Sequence, residues 1–169
     1  AAVLLGQSAQ SSGSLYIEIG KIPYSRGQAQ GSVLAPLIRT TDAAATEMLL
    51  GTAVGFFPDT GRMVLRAKTT WTFMALVNAR QMTGIAGTLG DSKGWKIEGM
   101  IRRDGANNTT MVAPAVVTVV ANDVGAAAWI IAVTADDVNE ALLFTVTGEV
   151  DKGIFWFGHV WVAECGDGS

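Results

Sequence analysis

The chain has 169 residues, of which 49% are hydrophobic and 16% are charged, and its formal net charge is −3. This composition excludes an intrinsically disordered chain, which needs low hydrophobicity and high net charge. The net negative charge argues against a nucleic-acid partner, because proteins that bind nucleic acids usually carry a basic patch. No apolar run approaches the ~20 residues of a membrane-spanning helix, so no membrane partner is expected. Cys165 is the only cysteine, which excludes an intrachain disulfide.

Residues 1–39 are predicted to form an extended N-terminal arm, and residues 40–169 are predicted to form the folded domain. The arm is rich in glycine, serine and glutamine and has few residues from which to build a core. Its glycines recur every seven residues from Gly6 to Gly27, which fits repeated tight turns between short extended pieces. A mobile tail with glycines spaced by chance is the alternative. The arm residues expected to contact a partner are Leu15, Tyr16, Ile17, Ile19, Ile22 and Tyr24.

Beyond residue 33 the sequence predicts short β-strands separated by turn signals. The glycine-containing stretch 81–94 is predicted to be a long hairpin loop. Residues 41–51 contain a possible helical cap, with Thr41 or Asp42 followed by Glu47, so one helical turn is the alternative there. The remaining pattern favours an all-β, antiparallel β-sandwich or barrel. The predicted strands cover residues 33–39, 46–50, 71–77, 95–102, 109–120, 129–134, 142–147 and 154–163.

The last predicted strand, residues 154–163, is apolar on both faces. An antiparallel sheet normally packs one face on the core and exposes the other to water. Such a strand therefore lies either between two packed layers or at a subunit interface, and its aromatic residues are typical of interfaces. The side chains predicted to form a subunit interface are Phe155, Phe157, His159 and Trp161.

Groups that could carry out catalysis are sparse in the sequence. His159 is the only histidine, and an extended strand would separate it from Cys165 by roughly 20 Å. The acidic cluster at residues 136–140 lacks the spacing of a calcium loop and fits turn chemistry. The five tryptophans are expected in the core, with a sugar-binding platform as the alternative. We predict no catalytic residue, no cofactor and no metal site, and therefore a non-enzymatic protein.

Most of the chain resembles a domain found in virion proteins of tailed bacteriophages and prophages, most often at the C-terminal ends of tail fibres. The glycine-rich arm resembles the β-roll repeats of phage fibre necks and of trimeric bacterial adhesins. The resemblance implies a jelly-roll-like β-sandwich that assembles as a homotrimer in a virion. The matching pieces are GQAQ (27–30), RTTDAAATEMLL (39–50), TTWTF (69–73), VNAR (77–80), GWKIEGMIRRDG (94–105), WIIAVTAD (129–136) and FTVTGEVDKGIFWFGHVWVAE (144–164).

If residue 1 is the true start of the polypeptide, the short arm favours a capsid decoration (cement) protein, because a fibre would carry a long shaft before this domain. The expected partners are then two further copies of the chain and the major capsid protein or another virion protein, and the protein is made in the bacterial host cytoplasm. The alternative is a tail-fibre or head-fibre module that binds the host surface through the loops at 81–94 and 104–108. Both expectations depend on resemblance of fold and not on a chemical site.

Overall fold

The computed structural model describes residues 17–24, 27–50 and 61–167. Within these ranges the chain is all-β, apart from a short 3-10 helix at Val124–Ala126. The prediction of an all-β chain with antiparallel strands is therefore confirmed. The strands are β1 (Ile17–Tyr24), β2 (Gly27–Leu34), β3 (Leu37–Thr40), β4 (Ala45–Glu47), β5 (Met63–Val64), β6 (Thr69–Gly84), β7 (Ser92–Arg103), β8 (Thr109–Met111), β9 (Val116–Asn122), β10 (Ile130–Asp136), β11 (Ala141–Thr147) and β12 (Lys152–Gly166).

The strands form two antiparallel sheets. The larger, eight-stranded sheet has the order β1-β2-β12-β6-β7-β8, with β3 also paired to β12 and β9 also paired to β7. The smaller, four-stranded sheet has the order β10-β11-β4, with β5 also paired to β11. The last strand, β12, is central in the larger sheet, because β6 lies along one side and β2 and β3 share the other.

The two sheets enclose a single hydrophobic core between them. Strand β6 illustrates this arrangement, because every second side chain along most of its length is buried in the core and those between are exposed. At the centre of the core Trp95 stacks on Trp156 with 5.5 Å between ring centroids, and Trp129 lies 6.0 Å from Trp156. Phe73 of the larger sheet meets Phe144 of the smaller sheet edge to face. The prediction that tryptophans build the core is confirmed for Trp71 and these three.

The hairpin loop between β6 and β7 is shorter than predicted. The sequence placed residues 81–94 in the loop, but Gln81 pairs with Ile154 and Ser92 pairs with Arg80, which leaves residues 85–91. The strand ends at Gly84 because the backbone there has φ +122°, where a Cβ would lie 2.2 Å from the Asp151 carbonyl oxygen.

The helical alternative at residues 41–51 is wrong for the described part of that stretch. Residues 41–44 are bends, and Ala45 to Glu47 pair with β11. The residue expected to cap a helix closes a turn instead, since the carboxylate of Asp42 accepts a hydrogen bond from the Ala44 amide at 2.9 Å. The sheet thus outcompetes a short helix whose isolated stability is marginal.

The described part of the predicted arm belongs to the larger sheet. β1 pairs with β2, and β2 pairs with β12 from Val160 to Gly166. Whether residue 39 is a domain boundary stays a prediction. Of the residues expected to contact a partner, Leu15 and Tyr16 lie outside the described residues, and Ile17, Ile19, Ile22 and Tyr24 lie on β1, where only the backbone is described.

Candidate assembly surface

The face of the larger sheet that points away from the core carries large apolar side chains. On β12, Ile154 and Trp156 are fully buried, whereas Phe155 and Phe157 between them are 43% and 39% exposed. The predicted division of this strand into two apolar faces is therefore confirmed. The sequence left two settings open for this strand, between two packed layers or at a subunit interface. In the structure a packed layer covers its inner face, and no described residue covers Phe155 and Phe157 completely on its outer face.

The exposed residues of β12 continue across the neighbouring strands. Trp161 lies opposite Met74 on β6, and His159 lies opposite Leu76. Met100 on β7 extends the surface on the same side of the sheet, opposite Thr72. We call this surface the outer patch, and its residues are Met74, Leu76, Met100, Phe155, Phe157, His159 and Trp161.

His159 and Trp161 form an aromatic contact within the outer patch. Their rings stack with centroids 4.2 Å apart and planes inclined by 23°. Because each ring restricts the other, a partner that covers them loses less side-chain freedom on binding. Beside them is a shallow depression of about 370 Å³. It is lined by Thr72, Phe73, Met74, Glu98, Gly99, Trp161, Val162 and Ala163.

Several charged side chains that border the outer patch have partners within the chain. Lys96 and Glu98 lie opposite Leu76 and Met74, and their side chains form an ion pair at 2.9 Å. Arg39, beside Phe155, donates a hydrogen bond to Thr83 at 2.8 Å. An apolar strip with a satisfied polar rim is typical of surfaces that bind another protein.

The predicted interface residues therefore share one face of one strand, and the structure brings them together with residues that sequence analysis missed. Met74, Leu76 and Met100 join them from β6 and β7. The sequence contains a sign of this, since each of the three is an apolar residue at one of the alternate strand positions that point away from the core and are otherwise mostly polar. Their role in a subunit interface stays a prediction.

Three buried charged side chains, Lys93, Lys152 and Glu164, lie on the inner side of the larger sheet or at its edge. Lys93 donates hydrogen bonds to the carbonyl oxygens of Ala127 and Trp129, both at 2.8 Å, and burial lowers its pKa. Glu164 accepts a hydrogen bond from the Trp71 indole at 2.7 Å and pairs with Arg66. Lys93 thereby holds the β9–β10 connection in place, and Glu164 holds the segment before β6.

The third, Lys152, belongs to a polar cluster at the edge of the core. Its ammonium group donates to the carbonyl oxygen of Gly125 and to the Glu149 carboxylate, both at 2.7 Å. Glu149 also accepts a hydrogen bond from the Trp129 indole at 2.8 Å. The hydrogen bond from Lys152 contributes most to lowering the pKa of Glu149, and the one from Trp129 acts in the same direction. Burial has the opposite effect but is outweighed. The cluster fixes the 3-10 helix and the β11–β12 turn to the core.

The acidic cluster at residues 136–140 forms a turn, as predicted. The carboxylate of Asp136 accepts hydrogen bonds from the amides of Val138 and Asn139 and from the Asn139 side chain, which lowers its pKa. Within the described ranges no three His, Cys, Asp or Glu side chains are grouped so that they could hold a metal ion. His159 packs on Trp161, and Cys165 lies exposed six residues further along β12.

No family model matches the sequence, and no curated protein matches it. In the described part of the chain, no helix has both the length and the apolar character needed to cross a membrane.

Proposed function

We propose that this protein is a non-enzymatic structural component of a bacteriophage virion. In this proposal a jelly-roll-like β-sandwich assembles as a homotrimer through its outer patch. The trimer decorates the capsid, and its N-terminal arms, residues 1–39, bind the major capsid protein or a neighbouring virion protein. The sequence resemblance supports the virion assignment, and the open outer patch supports assembly.

The outer patch is the observation that carries the proposal. Phe155 and Phe157 lie at the centre of the sheet, yet about two fifths of each side chain is exposed. Complete burial of an aromatic side chain contributes about 1.5–3 kcal/mol. Contact between three copies would bury several such residues per subunit, together with the preformed His159–Trp161 stack.

The first test of the proposal is stoichiometry in purified virions. Gel densitometry should give close to one copy of the 17.7 kDa chain per major capsid protein, or one trimer for every few capsomers. Light scattering of the purified protein should give three times the chain mass or a multiple of it. A virion ratio of a few per cent would contradict the decoration role, and a purified protein that stays monomeric at all concentrations would contradict the trimer.

A second test concerns the arm. Deletion of residues 1–26 removes all six residues expected to contact the shell and leaves β2, which pairs directly with β12, at the sheet edge. We expect the shortened protein to keep its circular dichroism spectrum and its trimer mass but to lose binding to undecorated capsids. A variant that still decorates the shells would exclude the arm as the binding element.

A fibre module that binds the host surface is the second candidate, and exposed loop residues favour it. In the β6–β7 loop Ile85 is 93% exposed, and Val124 in the neighbouring connection is 95% exposed. The other loop predicted to bind, 104–108, lies at the opposite end of the sheet, since Thr69 at the start of β6 pairs with Arg103 and Gly84 pairs with Lys152. Loss of phage adsorption after Ile85→Ser, with unchanged capsid decoration, would favour this candidate.

A further inference from the structure

Strand β9 is an exposed edge strand of unusual composition. It has seven residues, VVTVVAN, and every one of them is exposed. It pairs with β7, and within the described residues no second strand lies along its other side. An edge strand of this kind presents unpaired backbone N–H and C=O groups to any extended segment that approaches.

The usual protection against edge-to-edge pairing is weak in β9. Proteins guard edge strands with lysine, proline, inward-pointing charge or very short length. From Thr109 to Asn122 the sequence has no charged residue, and its proline, Pro114, precedes β9. A bulge opposite the Gly94–Trp95 step is the one protective device, and the stretch Val116–Val119 lies outside it in regular register.

Both faces of β9 suit a second strand of the same kind. Val117 and Val119 lie opposite the buried Ile97 and Trp95, on the core side, yet they are 39% and 46% exposed because the smaller sheet does not reach over them. On the other face Val116 is 60% exposed. β-branched side chains fit the pleated surface of a sheet and stabilise it by packing against neighbours across the strand pair.

The edge of the smaller sheet lies on the same side of the molecule. β10 contacts β8, which continues the edge formed by β9, and β10 pairs with β11 on its other side. It is also uncharged as far as Asp136, and Ile130 is 58% exposed. This side of the molecule therefore presents two uncharged edges, one from each sheet.

We propose that β9 pairs antiparallel with β9 of a second copy of this chain, so that the larger sheet continues across a twofold axis. A second copy of β9 suits this edge because it is itself an exposed, uncharged strand rich in β-branched residues, so that antiparallel self-pairing sets such side chains beside one another and places no like charges opposite each other. The contact is isologous, so one pairing uses both edges and the assembly closes at two copies. It is independent of the outer patch, and together the two contacts would link trimers to one another.

Disulfide trapping tests the pairing directly. In a Cys165→Ser background, cysteine is introduced singly as Val117→Cys, Thr118→Cys or Val119→Cys. Residues opposite each other across antiparallel strands have Cβ atoms about 4.5–5.5 Å apart, within reach of a disulfide after small adjustment. We expect at least one variant, with Val119→Cys the first choice because it is central, to form a dimer of twice the 17.7 kDa chain mass on a non-reducing gel.

The matched control is Val138→Cys, at an 89% exposed position in the turn between β10 and β11. Oxidation of the three β9 variants at no more than the rate of this control would overturn the proposal. A charged variant, Thr118→Lys, gives a second readout, since it should remove the twofold contact and leave the circular dichroism spectrum unchanged. Persistence of the wild-type mass distribution in Thr118→Lys would also overturn it.

These outcomes separate the β9 contact from the proposed trimer. The double variant Phe155→Ser, Phe157→Ser, which removes outer-patch contacts, should still form β9 disulfides. Thr118→Lys should still give the trimer mass. Failure of the β9 contact therefore leaves trimers, whereas failure of the outer-patch contact leaves dimers.

Discussion

The inner and outer faces of the larger sheet have similar composition on β12 but different surroundings. Ile154, Trp156 and Val160 point inward and are completely buried, while Phe155 and Phe157 point outward and remain substantially exposed. The smaller sheet covers the inner face, and no described part of the chain covers the outer face at these positions. Apolar character alone therefore does not distinguish a residue that holds the monomer together from one available to a partner.

This difference can be tested by substitution, because the two faces should respond in different measurements. Inner-face substitutions should lower the free energy of unfolding. Outer-face substitutions should change the mass of the assembly and leave the fold intact.

The largest loss of stability is expected for Trp156→Ala. The indole is fully buried, stacks on Trp95 and donates a hydrogen bond to the Thr40 hydroxyl at 2.9 Å. Removing it should cost about 3–5 kcal/mol, measured by guanidinium denaturation at one fixed protein concentration. Phe155→Ala, the adjacent residue on the opposite face, is the control and should cost far less. Equal losses in the two variants would mean that the outer face is also buried in the folded protein.

A smaller loss is expected for Lys93→Met, which tests the buried charge on the inner face. The substitution keeps most of the side-chain volume and removes the donor that satisfies the carbonyl oxygens of Ala127 and Trp129. Leaving buried acceptors unpaired should cost about 1–3 kcal/mol. Lys96→Met, on the outer face of the same strand, is the control. A Lys93→Met protein as stable as the wild type would show that relief from burying the ammonium group offsets the lost hydrogen bonds.

Several strands of the larger sheet could be predicted from sequence because local pattern determines them. The predicted strands at 71–77 and 95–102 lie within β6 and β7, and the two faces of β12 follow from its alternation, whereas the single strand predicted at 109–120 is divided into β8 and β9. The extent of the β6–β7 loop could not be predicted in this way. Gln81, at the start of the predicted loop, is in a strand because it pairs with Ile154 of β12, and Ser92, near its end, is in a strand because it pairs with Arg80 of β6. The pairing with β12 depends on residues distant in sequence.

The candidate site was predicted only in part, for the same reason. The aromatic residues of β12 were identified from their own strand. Met74 and Leu76 were not, because their membership of the outer patch depends on the register between β6 and β12. The buried charge of Lys93 was also missed, since its acceptors are carbonyl groups in the β9–β10 connection, which no local pattern brings close.

Loss of stability at low pH should depend on the polar cluster of Glu149 and Lys152 at the edge of the core. Hydrogen bonds from Lys152 and Trp129 lower the pKa of Glu149 in the folded state below its ordinary value of 4.5. The folded protein therefore binds fewer protons here than the unfolded chain, and the contribution to stability is present above pH 4.5 and is lost as pH falls through the lowered pKa. Denaturation curves between pH 3 and 7 should show a smaller acid loss for Glu149→Gln than for the wild type.

The remaining acid loss in Glu149→Gln should not be zero. Backbone hydrogen bonds from Ala106 and Asn108 lower the pKa of Asp104, and the Asn139 side chain lowers that of Asp136, so both carboxylates act with the same sign. If the acid loss were the same in Glu149→Gln and the wild type, the Glu149 cluster would not contribute to stability.

The smallest change in the stability of the subunit per residue is expected for the double variant Phe155→Ser, Phe157→Ser. Because about two fifths of each side chain is already exposed, each substitution should lower the unfolding free energy of the isolated subunit by about 1 kcal/mol. The assembly should respond strongly, since these residues lie at the centre of the outer patch, and light scattering should show loss of the trimer mass.

The concentration dependence of unfolding decides this last comparison. A subunit contact that forms only in the folded state raises the apparent stability as protein concentration rises. The unfolding midpoint of the wild type should therefore increase over a hundredfold range of concentration, and that of the double variant should increase less, the remainder being due to the β9 contact. Adding Thr118→Lys to the double variant should remove the remaining dependence. A midpoint that still rises equally in all three proteins would place the subunit contact outside both the outer patch and β9.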